Sequence, residues 1–239
     1  MSSNARSEAA FADLDLPVPL EIRPMRSARR LRLRFDERRG ILKLTCPLRT
    51  SRHSALAWVV QQRAWIDEQI ARAEPGEPLE PGALIPLEGD EVRLVWAPDE
   101  PRTPRLAGGE LRCGGPQANF PRRIESFLRR RALDLLSRDT AEAALAAGVT
   151  PRAVAVGDAD TRWGSCSSAG RIRYSWRLVL APPAARRFVV AHEVAHLLEL
   201  NHGPRFKALE RRLFGGDVAA ARALLRRLGP RLKRIGRRG

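Results

Sequence analysis

The chain has 239 residues, 44% of them hydrophobic, enough to bury a substantial core as one larger domain or two small ones. Its net charge is +16, and because Lys43, Lys207 and Lys233 are the only lysines, 40 of its 43 basic residues are arginine. No apolar stretch approaches the ~20 residues of a membrane helix. The three cysteines, Cys46, Cys113 and Cys166, are odd in number and widely spaced and do not suggest a disulfide framework, and with 5% aromatics and none in the basic C-terminal run the stacking platforms of single-strand binders are missing.

Residues 1–18 read as a disordered tail. They hold no apolar h-region and carry acids early, so they are neither a secretory signal nor a transit peptide, and a cytoplasmic location is the expectation. Residues 20–46 alternate apolar and basic around 36–40, which predicts a β-hairpin or meander. Leu56, Val59, Val60, Trp65, Ile66 and Ile70 recur at helical spacing and predict one amphipathic helix over 51–73, with Trp58 and Trp65 as core residues. His53, near its start, reads as a surface or capping residue. The Pro/Gly/Glu run 74–82 is a connector, strands are expected at 83–87 and 91–97, and a Pro/Gly-rich segment runs on to 119. On this reading 19–119 forms a β-rich N-terminal region.

A second unit, expected over 120–228, opens with a long helix over 121–147 that ends at Gly148. Strands are expected at 152–158 and 171–180, with a turn-rich stretch between them. Pro182 and Pro183 end the second strand and open a helix, Pro being tolerated in a first turn. That helix is expected to end near 201–203, the next to run from Pro204 through Leu213 with Phe206 facing the core, and the last, capped by Asp217, to reach about Leu228. The remainder, 229–239, closes the basic run 226–239, which carries seven basic residues and no acid and reads as a solvated appendage. Arg122, Arg123, Arg129, Arg130 and Arg131 form a further basic cluster.

Three of the chain's four histidines lie within 192–202. His192 and His196 are four apart, so on a helix they share a face and can grip one metal ion. Glu193 sits beside the first ligand, placed to take a proton from a metal-activated water. His202 follows far enough on for the helix to end and the chain to return as a third ligand. Three protein ligands with an open position is the arrangement of a catalytic zinc. The flanking Phe188, Val189, Val190, Val194, Ala195, Leu197, Leu198 and Leu200 make this helix apolar nearly all round and predict that it is buried, where imidazoles and a carboxylate need partners. Glu199 and Asp160 are candidates to orient the imidazoles. The order of helix, strands, metal helix and third histidine suggests a zincin-like α+β domain, whose edge strand, expected at 171–180, binds substrate backbone by β-augmentation. Tyr174 on that strand either stabilises an oxyanion or packs at a sheet edge. Cys166 reads as a small buried thiol rather than a nucleophile.

The segment 161–206 resembles the YgjP-like metallopeptidase family, itself similar to the SprT-like proteases. It carries an Arg162–Cys166 turn, Trp176-Arg177-Leu178, Pro182, the His192–His196 motif, His202 and Phe206. Ser175 and Lys207 depart from the family's usual Asn and Trp. The resemblance implies one zinc ion per chain held by His192, His196 and His202, Glu193 as general base, and a protein or peptide substrate. It leaves two alternatives beside a zinc endopeptidase: a DNA-associated SprT-like protease that uses the basic surface for non-specific nucleic acid, and a non-enzymatic metal-binding module. No membrane partner is expected, and the oligomeric state is not legible.

Overall fold

The computed structural model describes residues 16–37, 39–72, 75–158 and 162–237. Contacts divide the chain into two units, residues 1–77 with 237–239, and residues 78–236.

In the first unit, β1 (Leu20–Met25) and β2 (Arg32–Asp36) flank β3 (Ile41–Pro47). β3 runs parallel to β1 and antiparallel to β2. Two helices follow, α1 (Arg52–Gln61) and α2 (Arg63–Arg72). The single helix expected over 51–73 is interrupted at Gln62, whose backbone sits at φ −90, ψ 12 and turns its N–H to the carbonyls of Val59 and Val60. Ser51 caps α1 by accepting the Ser54 N–H at 3.1 Å, and His53 is exposed there. Leu42, Leu44, Ala55, Val59 and Ile66 form the unit's buried centre, with Trp58 and Trp65 partly buried against it. Val60, expected on the core face, is 48% exposed. Residues 1–15 of the expected tail lie outside the described residues.

The second unit begins with a sheet of order β4-β5-β7-β6, built from β4 (Leu84–Leu87), β5 (Asp90–Trp96), β6 (Arg105–Ala107) and β7 (Glu110–Cys113). Leu87, Leu94, Leu111 and Cys113 join the same core as the helices that follow. The segment 78–113 therefore belongs with this unit, and the boundary falls at 77/78 rather than at 119/120. The long helix α3 (Phe120–Ala147) buries Phe120, Ile124, Leu128, Ala132, Leu136, Thr140 and Ala144 and ends at left-handed Gly148 (φ 70). A four-residue repeat drifts by about 40° per step around a helix. The buried line therefore winds about α3 and meets different neighbours along its length.

Three short strands make the sheet next to the site: β8 (Ala153–Gly157), β9 (Gly164–Cys166) and β10 (Arg171–Ser175), in the order β8-β10-β9. β10 is parallel to β8 and antiparallel to β9. The strand expected over 171–180 stops at Ser175, whose Oγ accepts the Arg177 N–H at 3.4 Å and starts a buried 3-10 turn over Trp176–Leu180. Then come α4 (Pro183–Ala195), α5 (Pro204–Phe214) and α6 (Val218–Arg234). α4 ends at Ala195 with His196 as its cap, earlier than the expected 201–203.

The C-terminal segment is not an appendage. α6 continues through Gly229 and Pro230 to Arg234, and Leu232 and Ile235 are buried. Buried Arg177 ties this end down, donating from Nη2 to the Ile235 carbonyl at 3.0 Å while its Nη1 pairs with Asp158. The basic residues of 226–234 lie on a helix that also carries the buried Gly229 and Leu232.

Candidate metal centre and cleft

The end of α4 and the first turns of α5 build the site. His192 lies in the last turn of α4, His196 caps it, and His202 lies on the return just before α5. A ligand nitrogen of each lies within 4.8 Å of the others. Nε2 of His192 and Nε2 of His202 are 3.3 Å apart, about the separation of two nitrogens on a tetrahedral zinc with 2.0–2.1 Å bonds. The Phe206 ring is packed among all three imidazoles, its centroid 4.6 Å from those of His196 and His202 and 5.0 Å from that of His192.

Hydrogen bonds set the tautomers. A backbone carbonyl only accepts, so His196 must donate from Nδ1 to the Glu199 carbonyl, at 3.2 Å, and its Nε2 keeps the lone pair. His192 Nδ1 meets Oε1 of Glu210 at 2.7 Å, and Oε2 of the same carboxylate takes the Arg222 guanidinium at 3.5 Å. The carboxylate accepts from both, so the Nε2 lone pair of His192 is also free. Burial lowers the affinity of His192 and His196 for a proton, which favours the neutral form that a metal ion requires. Three imidazoles with converging lone pairs and no acid among them suit a borderline cation such as zinc.

The carboxylate that orients His192 is Glu210, which was not among the expected candidates. Glu199 contributes through its backbone oxygen, and Asp160 lies outside the described residues. Glu210 was nonetheless visible: in α5 it falls in the stripe Phe206, Leu209, Glu210, Leu213, a lone acid on the apolar face of its helix. It is 2% exposed, and a buried acid needs a partner.

Glu193 points away from that side, against β9. It is 5% exposed, and burial raises its pKa to about 7, opposed by the positive charge of Arg162. Gly164 makes room for it: a Cβ there would lie 2.5 Å from Glu193 Oε1 and 2.6 Å from its Cγ. The glycine of the Arg162–Cys166 turn is thus a steric requirement of the carboxylate.

Tyr174 does not reach the site. It is buried in the core on the central strand rather than at a sheet edge, its hydroxyl 3.0 Å from Thr140 Oγ1 on α3, and burial raises its pKa; it packs, and the hydroxyl is engaged away from the histidines. The strand assignment is corrected as well. β10 is the central strand with both edges paired, so it has no backbone to offer, whereas β9 has one neighbour among the described residues and packs beside α4. Cys166 is a half-buried free thiol whose pKa is pushed up by burial, which disfavours the nucleophilic thiolate. Ser175 is buried and caps the 3-10 turn, and Lys207 is exposed. Beside His192 and Glu193 a cavity of about 330 Å³ opens, walled by Trp163, Phe188, Val189 and Leu225.

Among known families, the one described as YgjP-like, metallopeptidase domain, matches this sequence over residues 29–227. No curated protein matches the chain. Among solved structures, the crystal structure of the metallopeptidase zymogen of Pyrococcus abyssi abylysin aligns with 18% identity and a TM-score of 0.36, over 42% of this chain and 97% of that one.

Proposed function

Since the chain belongs to the YgjP-like metallopeptidase family, we propose that it is a zinc endopeptidase with His192, His196 and His202 as ligands and Glu193 as general base. The observation that carries this reading is the convergence of three imidazoles, their tautomers set by Glu210 and the Glu199 carbonyl, next to a buried carboxylate. A zinc ion held there would act as a Lewis acid, polarising a peptide carbonyl and acidifying a water. Glu193 takes a proton from the attacking water and passes it to the leaving nitrogen, so one carboxylate serves as base and then as acid. Gly164 keeps that carboxylate in place. The free edge of β9 offers backbone hydrogen bonds that lay an extended substrate across the site. Replacing Glu193 with Gln tests the reading: metal content stays and hydrolysis is lost, whereas unchanged hydrolysis would remove Glu193 from the mechanism.

A second reading, non-specific nucleic-acid association, draws on a separate surface. Arg102, Arg122, Arg123 and Arg130 line a cavity of about 550 Å³ that has no carboxylate in its wall. The other members of the basic cluster are engaged elsewhere, Arg129 with Glu125 and Arg131 with Glu88. DNA binding that weakens steeply with salt and is lost in an Arg122→Ala/Arg130→Ala double variant would favour it; no binding at low salt removes it.

A further inference from the structure

Of the cavity's described lining residues, Glu193 is the one carboxylate, and Arg162, Arg222 and Arg226 bring three guanidinium groups to the same opening. Arg222 is committed, to Glu210 at 3.5 Å and over the Phe188 ring at 5.5 Å. Arg162 and Arg226 are exposed, and neither forms an ion pair among the described residues, although the charge of Arg162 acts on Glu193. The walls behind them, Trp163, Phe188, Val189 and Leu225, are apolar, and the cavity, at about 330 Å³, has room for a large aliphatic or aromatic side chain. An apolar recess with cations at its mouth suits a substrate of matching polarity.

We infer that the cleft selects acidic peptides: a large apolar side chain enters the recess, and carboxylates on neighbouring residues meet Arg162 and Arg226. This rests on the peptidase reading above and narrows its substrate class. An apolar side chain gains by leaving water for the recess. The flanking carboxylates gain from two exposed guanidinium groups, with Glu193 the one acid among the cavity's described lining residues, and the positive field of a chain of net charge +16 steers them inward. A peptide with lysine or arginine at the same flanking places meets like charge, which costs affinity whatever fills the recess.

The test separates binding from cleavage. Two fluorescein-labelled peptides share a central Leu-Phe pair, one flanked by aspartate and glutamate, the other by lysine and arginine. Their binding to full-length, zinc-loaded Glu193→Gln protein is measured by anisotropy. The acidic peptide is expected to bind roughly tenfold or more tightly at low salt, with the gap narrowing as salt rises. Adding Arg226→Glu should close most of that gap, and the milder Arg226→Gln part of it. Arg105→Glu, an exposed charge reversal outside the cavity, should preserve it and so controls for net charge. Equal binding of the two peptides, tighter binding of the basic one, no binding of either, or equal loss in the Arg226 and Arg105 variants would overturn the inference. Wild-type cleavage of the same peptides is scored separately. Selective binding without cleavage would sink the peptidase reading and leave the acidic-peptide cleft standing.

Discussion

Glu193 is the general base of the proposed mechanism, and its burial has a consequence that stability measurements can read. In the metal-free protein its folded pKa is about 7 against an ordinary 4.5. Between those values the folded state holds a proton that the unfolded state has released, so this group's contribution to stability falls as pH rises from 4.5 to about 7 and stays low above. The cost at alkaline pH is on the order of 3 kcal/mol. Chelator-treated Glu193→Gln protein should therefore be more stable than chelator-treated wild type at pH 8, with the difference gone near pH 4.5, as judged by urea unfolding. A difference that does not change with pH would refute the buried-carboxylate account. Two neighbours act through geometry. Glu210→Gln should weaken zinc binding about 10- to 100-fold in a competition titration, because the imidazole of His192 loses its orienting carboxylate. Gly164→Ala should keep the metal yet lower kcat/KM on the order of 100-fold, since its methyl group displaces the base; a near-normal rate would mean the Glu193 pose is not the working one. The convergence of His192, His196 and His202 is legible in the sequence because HExxH spacing puts the first two on one face of a helix and leaves room for the chain to return with the third. Glu210 was harder to see because it follows the motif by 14 residues or more and reaches it only through the packing of α5 on α4.

At the level of elements, the helices were largely visible from apolar spacing and from stop signals such as Gly148 and Asp217. The errors share a cause. α4 was drawn too long because Leu197, Leu198 and Leu200 continue the apolar pattern, although the backbone turns after Ala195 to bring His202 back; Leu198 and Leu200 are exposed at 51% and 70%. The strand at 171 was drawn too long because Trp176–Leu180 is all apolar, and a short buried run does not distinguish strand from 3-10 turn. The edge role went to β10 because β9, three residues inside a turn-rich segment, gives no periodic signal. In the C-terminal segment the arginines and lysine dominate the sequence pattern and mask Leu232 and Ile235. Ile235 is fully buried, so Ile235→Ala should cost about 2–5 kcal/mol by denaturant unfolding. A loss below about 0.5 kcal/mol would return this segment to the status of a solvated tail.

For the whole molecule, the α+β class and the division into two units were within reach of the sequence, but the boundary was not. The 78–113 sheet follows the first unit through a Pro/Gly connector, and only the burial of Leu94 and Leu111 in the core of α3 shows where it belongs. A strongly arginine-rich composition also blurs function, because charge alone does not distinguish a nucleic-acid surface from a cleft for acidic peptides. The structure sorts those arginines into paired, core-tethering and cavity-lining groups. Within the described residues no helix is long and apolar enough to cross a membrane.

The central claim is a three-histidine zinc site, and elemental analysis of protein purified without chelator tests it most directly. Wild type and Glu193→Gln should each carry about one zinc per chain, and His202→Ala should lose most of it. Wild type without metal, or a His202→Ala variant that retains it fully, would contradict the account.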